Sequence, residues 1–381
     1  MELGSSCQRA PYDMSEMACW SMGVAVAGLR YVTHYSIASL MGSLQPGFST
    51  TLHQSLKSSY VGRQRASNMN YRTLGRTGLR VSAIGLGTMV HAGHFGPMKD
   101  SESLSAIDTA FDLGVNFIDT SDAYGAGYSE TLLGKALQGR RDKVILATKG
   151  GNVMVGPDRG KRIFSPEYIN GVLHDSLKRL QTDYVDLYQL HNPTVDIIER
   201  GEVWQVLEKA KKEGKIRFYG VSINTMDEGI AAVKDGRSDT VQVEYNLLTQ
   251  EPAEKIFPLA QAANVGVIAR VPLRRGVLTG KMTVADEQRF QGEDVRARSF
   301  KGEAFAKELA KAEKLRFLVH GPVKSLAQAA IAFCVAHPAV SLTIPGARNE
   351  QQMRENAAGG DITLSREDLD KIRDLWRNGF K

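Results

Sequence analysis

Four residues of this chain carry side chains whose chemistry fits together: a carboxylate (Asp119), a phenol (Tyr124), an amine (Lys149) and an imidazole (His191). Three of them stop short apolar runs: Asn-Phe-Ile-Asp119, Val-Ile-Leu-Ala-Thr-Lys149 and Asp-Leu-Tyr-Gln-Leu-His191. Tyr124 follows in the stretch Thr-Ser-Asp-Ala-Tyr-Gly. Each alone has an ordinary alternative. Asp119 fits a helix cap, Lys149 a snorkelling surface residue, His191 a hydrogen-bonded core residue, and Tyr124 a surface loop. Together they suit reduction of a carbonyl. A hydride arriving at the carbon builds negative charge on the oxygen, and a proton must be donated there. A free tyrosine, with a pKa of about 10, releases its proton reluctantly. A neighbouring ammonium stabilises the phenolate and lowers that value. The expected roles are Lys149 supplying the charge, Asp119 holding Lys149 protonated, and His191 orienting the substrate oxygen. A desolvated lysine also suits Schiff-base chemistry, so a lyase stays open on these residues alone.

For the four groups to meet, the runs that carry them must be neighbouring strands ending on one side. The spacing agrees: 119 to 149 is 30 residues and 149 to 191 is 42, each about one strand–helix unit. Eight such runs occur, at 83–86, 116–119, 144–148, 184–190, 216–222, 240–244, 266–271 and 341–344. Helical patterns lie between them, for example at 103–113, 166–180, 203–213, 256–263 and 351–357. Ser165-Pro166-Glu167 marks a helix start with a cap, a preset φ and a first-turn carboxylate. Ser365 to Asp368 resembles a capping box before the last helix. Residues 71–82 read as a hairpin turning at Gly75 and Gly78. The predicted fold class is α/β, a (β/α)8 barrel with an N-terminal β-hairpin and a C-terminal helical extension. In such barrels chemistry sits where strands end. An open doubly wound sheet is the runner-up, but its G-x-G-x-x-G fingerprint after the first strand is missing.

Composition excludes other classes. Apolar residues are 42% and charged residues 24%, ordinary for a chain with a core, so a collagenous, coiled-coil or wholly disordered chain is excluded. The net charge of +6 is mild, and no run of five basic residues occurs, so nucleic acid is not an expected partner. Cys7, Cys19 and Cys334 are odd in number and far apart, which excludes a disulfide scaffold and any metal-binding spacing and fits a reducing, cytoplasmic setting. No apolar stretch approaches the roughly 20 residues of a membrane span. Residues 1–68 are Ser-rich and hold no helical or strand period, which reads as a disordered extension or an upstream start, with the barrel domain at 69–381.

The motifs Phe117-Ile-Asp119-Thr-Ser-Asp-Ala-Tyr124-Gly, Ala147-Thr-Lys149, Leu190-His191-Asn-Pro193, Gly214-Lys-Ile-Arg-Phe-Tyr-Gly220-Val-Ser222 and Ile344-Pro345-Gly346 together resemble the aldo-keto reductase superfamily. They occur in family order from about Tyr71 to the last helix. The resemblance implies that Asp119, Tyr124, Lys149 and His191 are the catalytic tetrad, with Tyr124 the acid. It implies an extended nicotinamide dinucleotide, NADP(H), across the barrel mouth without a Rossmann loop. Ser222 and Gln242 match the residues meeting the nicotinamide amide, although Ile223 stands where the family often has asparagine and Asn224 comes next. Arg270 replaces a stacking tyrosine and can stack by its flat guanidinium. Thr88 and Leu273 join the cofactor set, and Lys281 falls in the loop that closes over the pyrophosphate. Gly346 precedes a helix whose N-terminal amides suit an anion, Arg348 is the expected partner of a 2′-phosphate, and Gln352, Glu355 and Asn356 match the adenine side.

The substrate pocket is expected from 91–97, with His94 and Phe95 as wall residues, from 151–164 and from 283–300. The charged stretch 287–298 reads as a mobile surface loop. The substrate is expected to be a small carbonyl compound, aldehyde or ketone. The resemblance keeps one further reading open, a cofactor-binding regulatory subunit on the same barrel. Oligomeric state is not legible.

Overall fold

The computed structural model describes residues 69–381 apart from Glu293. The expectation for residues 1–68 lies outside the described residues. The hairpin forms as anticipated: β1 (Tyr71–Thr73) pairs antiparallel with β2 (Arg80–Ser82) around a tight turn at Gly75–Thr77. Gly75 and Gly78 both take positive φ there, which a Cβ disfavours.

Eight parallel strands follow in sequence order: β3 (Leu86–Gly87), β4 (Phe117–Asp119), β5 (Ile145–Gly150), β6 (Val185–His191), β7 (Ile216–Ser222), β8 (Thr240–Glu244), β9 (Gly266–Arg270) and β10 (Val340–Thr343). The sheet closes on itself. Ile84 bridges Thr343, and Gly85 and Gly87 donate to the carbonyls of Thr343 and Pro345 at 2.8 and 3.1 Å. Seam contact is close: a Cβ on Gly87 would stand 2.7 Å from the Ile344 carbonyl oxygen. β3 covers 86–87 where the run predicts 83–86, and residues 83–85 pair instead with Thr343 of β10.

Side chains alternate inward and outward along each strand. Outward residues such as Ile118, Leu146, Tyr188, Val221 and Val267 pack under the helices in the main core. Inward residues split into two tiers. At the N-terminal end of the barrel, Phe117, Ala147, Leu187, Ile268 and Leu342 pack with Leu74, Leu79 and Val81 of the hairpin, which plugs that end. At the C-terminal end the inward positions of β4 to β9 are polar.

The helices alternate with the strands. Pro166–Leu180 starts where its sequence signal lies, with Ser165 Oγ accepting from Tyr168 N–H at 3.3 Å. The pattern at 256–263 resolves into Glu251–Lys255 and Phe257–Ala262, each with a proline in its first turn. The last helix, Arg366–Arg377, is capped by Ser365, whose hydroxyl also donates to the Asp368 carboxylate at 2.7 Å. Among the described residues no helix is long and apolar enough to cross a membrane.

Candidate active site

Strand ends deliver the predicted residues to one place. Asp119 ends β4, Lys149 is the fifth residue of β5, and His191 ends β6. Ser222 on β7 and Gln242 on β8 are in register with His191, and Arg270 faces inward two residues further along, paired with Glu244 at the ends of β9 and β8. Tyr124 lies in the loop after β4, where a turn joins its N–H to the Ser121 carbonyl at 3.1 Å.

Lys149 Nζ lies 2.5 Å from Asp119 Oδ1, 2.9 Å from the Thr120 carbonyl and 3.1 Å from Tyr124 Oη. An ammonium has three protons, so all are committed. Both ions of the pair are buried, Lys149 at 0% and Asp119 at 1% exposure. Such a pair persists only with its remaining lone pairs satisfied. Asp119 Oδ2 accordingly accepts from Gln242 at 2.8 Å and Gln189 at 3.3 Å. Burial would lower the lysine's pKa, but the attraction of Asp119 and Tyr124 outweighs it and pushes it up. For Tyr124 the balance differs from the expected depression. Burial outweighs the nearby ammonium, and the phenol's pKa rises. His191 is held well below the usual imidazole range by burial and by the charges of Lys149 and Arg270. Its Nδ1 faces Ser121 Oγ at 3.1 Å, and its ring meets Tyr124 edge-on at 6.1 Å.

Asp119, Tyr124, His191, Ser222 and Gln242, with Lys149 buried behind them, line a cleft of about 840 Å³. Thr88, Leu273, Lys281, Gly346, Arg348, Gln352, Glu355 and Asn356 line it, as do His94 and Phe95. Several are already engaged. Thr88 Oγ1 donates to the Asp119 carbonyl at 3.0 Å and accepts from Ser129 at 2.7 Å, bracing the strand end. Lys281 reaches Glu355 across the cleft at 3.5 Å. Gln352 accepts from Arg348 N–H at 2.9 Å, and Asn356 donates to the Gly346 carbonyl at 3.1 Å. Arg348 donates to the carbonyls of Phe95, at 2.7 Å, and Pro97. Arg270 is turned into the cleft, donating to the Ile223 carbonyl at 2.8 Å and to Asn224 Oδ1 at 3.2 Å. Ile223, in the slot where the family often has asparagine, is in the core.

The stretch 287–298 is at the surface as expected, with Gln288, Arg289, Gln291, Gly292 and Arg298 exposed, but part of it is anchored. Phe290 and Phe300 are buried against Phe305, Val295 N–H donates to the His94 carbonyl at 3.0 Å, and Arg296 donates to the Phe95 carbonyl at 2.9 Å. Gln189 was missed. It stands two residues before His191, so strand alternation alone puts it on the same inward face.

The family model described as Aldo/keto reductase family matches residues 83–377. This chain belongs to the aldo/keto reductase family. It is 35% identical over 318 residues to "Aldo-keto reductase YhdN" of Bacillus subtilis, covering 81% of this chain and 94% of that one. It is similar to the solved aldo-keto reductase AKR11C1 of Bacillus halodurans in its holo form, at TM-score 0.69 and 32% identity over 81% of this chain and 96% of that one. The glycerol dehydrogenase AKR11B4 of Gluconobacter oxydans gives TM-score 0.68 at 28% identity, over 84% of this chain and 98% of that one. Family membership makes the protein an oxidoreductase that works with a nicotinamide dinucleotide.

The cleft's donor set fits such a cofactor. Arg270, Arg275, Lys281, Arg289, Arg296 and Arg348 face it against Asp119, Asp286 and Glu355, and Asp119 is already paired with Lys149, a balance suited to phosphates. The chain beside Lys281 takes positive φ at Val271, Arg274, Arg275, Gly276 and Gly280. Strain of this kind collects at ligand clamps, and for the β-branched Val271 it is an outlier. Arg270 Nε is buried with no protein partner among the described residues.

Proposed function

We propose that this protein reduces an aldehyde or ketone to an alcohol with NADPH, and that Tyr124 donates the proton. The observation that carries the reading is the single buried ammonium that bridges Asp119 and Tyr124, two residues that line the cleft. When bound, the cofactor supplies the hydride. The chain supplies the rest. Tyr124 remains a protonated phenol, as a donor must. As its proton leaves for the carbonyl oxygen, the phenolate already lies 3.1 Å from a fixed positive charge. Asp119, held by two glutamines, keeps that charge in place. His191 is neutral at ordinary pH and orients the oxygen through the ring nitrogen facing the cleft.

Ser222 and Gln242 are the nicotinamide-side contacts, Arg270 lies beside the ring, Leu273 and Lys281 are at the pyrophosphate, and Thr88 is at the cleft wall. Gly346, Arg348, Gln352 and Asn356 take the adenosine end, and the cationic lining favours NADPH over NADH. The partner is a small carbonyl substrate, and the cysteine usage supports a cytoplasmic location. A Schiff-base lyase is disfavoured because Lys149 holds all three protons in hydrogen bonds and is no free nucleophile. A purely regulatory subunit would need no proton donor. The test is steady-state turnover of a panel of aldehydes, ketones and sugars with NADPH and NADH, on the full chain and on residues 69–381. Turnover by both forms, faster with NADPH, is expected. No carbonyl-dependent oxidation of either cofactor would overturn the proposal.

A further inference from the structure

Ser121 and Asp122 sit behind the imidazole and have no role in the reaction derived above. Ser121 Oγ lies 3.1 Å from His191 Nδ1 and 3.0 Å from Asp122 Oδ1, and it accepts the Ala123 N–H at 3.1 Å. A hydroxyl has one proton to donate and two lone pairs. With Ala123 on one lone pair, two arrangements remain. Ser121 donates to Asp122 and accepts from His191 Nδ1–H, or it donates to His191 Nδ1 and accepts from a protonated Asp122. The imidazole proton is on Nδ1 in the first and on Nε2 in the second. Since Nδ1 faces Ser121, Nε2 is the nitrogen left for the cleft. Only the second arrangement lets it donate to a carbonyl oxygen.

We infer that Ser121 and Asp122 form a relay that sets the tautomer of His191, protonation of the Asp122 carboxyl switching the imidazole into the form that holds the substrate oxygen. Both are positioning residues, and the inference rests on the reading of His191 as the group that orients the carbonyl.

The surroundings of Asp122 suit a switch near neutrality. Burial pushes its pKa up to about 7, with Glu130 adding to the rise, while Ser121, the Ala123 N–H and Arg179 pull it down. Glu130 faces it from the helix Tyr128–Ala136, Arg179 and Tyr168 from Pro166–Leu180, and Tyr188 from β6. The one cation among these, Arg179, is engaged by Glu130 at 2.7 Å. The Tyr188 hydroxyl is buried without a partner among the described residues, and burial raises its pKa well above the usual value. His191 faces Lys149, Tyr124 and Arg270 on its cleft side and stays neutral. Its tautomer, not its charge, is therefore what Asp122 can change.

The test reads the ring nitrogens of His191 by long-range 1H–15N correlation on the 15N-histidine-labelled full chain, from about pH 5.5 to about pH 9. His191→Asn assigns the signal. The expected result is an Nε2–H ring below about pH 7 that passes to Nδ1–H above it. Asp122→Asn, which removes the titrating carboxyl, should hold one tautomer throughout. Ser121→Ala should abolish the pH dependence, and it serves if Asp122→Asn does not fold. In turnover, the wild type should lose kcat/KM by about tenfold per pH unit above the switch, and Asp122→Asn should lack that limb. A wild-type tautomer constant across the range, or a switch that survives Asp122→Asn, overturns the relay. A tautomer switch without any carbonyl turnover keeps the relay and rejects the reductase. Turnover without a switch does the reverse.

Discussion

Replacing Lys149 by methionine keeps an unbranched side chain one atom shorter and removes its charge. Three hydrogen bonds go with it, to Asp119, Thr120 and Tyr124. Asp119, 1% exposed, is left with the two glutamine amides as its side-chain donors. Removing one partner of a buried pair costs about 3–5 kcal/mol, because the other charge stays buried without compensation. A domain of roughly 310 residues unfolds with an entropy of about 0.65 kcal/mol per kelvin, so the expected fall in Tm is about 5–8 °C. Differential scanning calorimetry at neutral pH reads it. The decisive comparison is the double variant Asp119→Asn/Lys149→Met. It buries no charge there and should recover about 2 kcal/mol relative to the sum of the two single changes. Lys149→Met within about 1 kcal/mol of the wild type, or a double variant that is simply additive, would refute the claim that these two ions hold each other in place.

Three further outcomes are expected. His91 is buried, with Nε2 against the Ala347 carbonyl at 2.9 Å, and burial first, with Arg348 adding, lowers its pKa to about 4. The folded state therefore refuses a proton that the unfolded chain takes below about 6.5, and stability is lost as pH falls from there toward 4, by about 3 kcal/mol in all. His91→Gln should flatten that acid limb in urea titrations, and an unchanged limb would contradict it. Arg348→Ala should weaken NADPH more than NADH and also loosen 95–97, whose carbonyls it holds. Dissociation constants for both cofactors measure this, and an unchanged ratio removes Arg348 from the 2′-phosphate. Arg270→Ala should raise the affinity for NADP+ relative to NADPH, because a cation beside the ring disfavours the positively charged form; equal effects on both forms would count against that placement.

The barrel was legible because parallel strands covered on both faces read as apolar runs bounded by turns. β7 and β8 begin and end where the runs at 216–222 and 240–244 do. The site was legible for a related reason: Asp119, Lys149 and His191 break apolar runs, and polar residues at strand ends stand out. What stayed hidden depends on distant parts of the chain or on depth. Gln189 is inside a run, and only the inward parity with His191 marks it. The tether between 294–296 and 94–95 joins segments some two hundred residues apart, and a charged composition gives no hint of it. The upward shift of Tyr124 reflects burial, which the sequence does not state.

The central claim is that Tyr124 delivers the proton from this cleft. Tyr124→Phe removes one hydroxyl and keeps the ring against His191 and His94. Single-turnover reduction of a carbonyl substrate, measured beside NADPH affinity by fluorescence titration, should show turnover down by roughly two to four orders of magnitude with the dissociation constant little changed. Near-normal turnover in that variant would contradict the account.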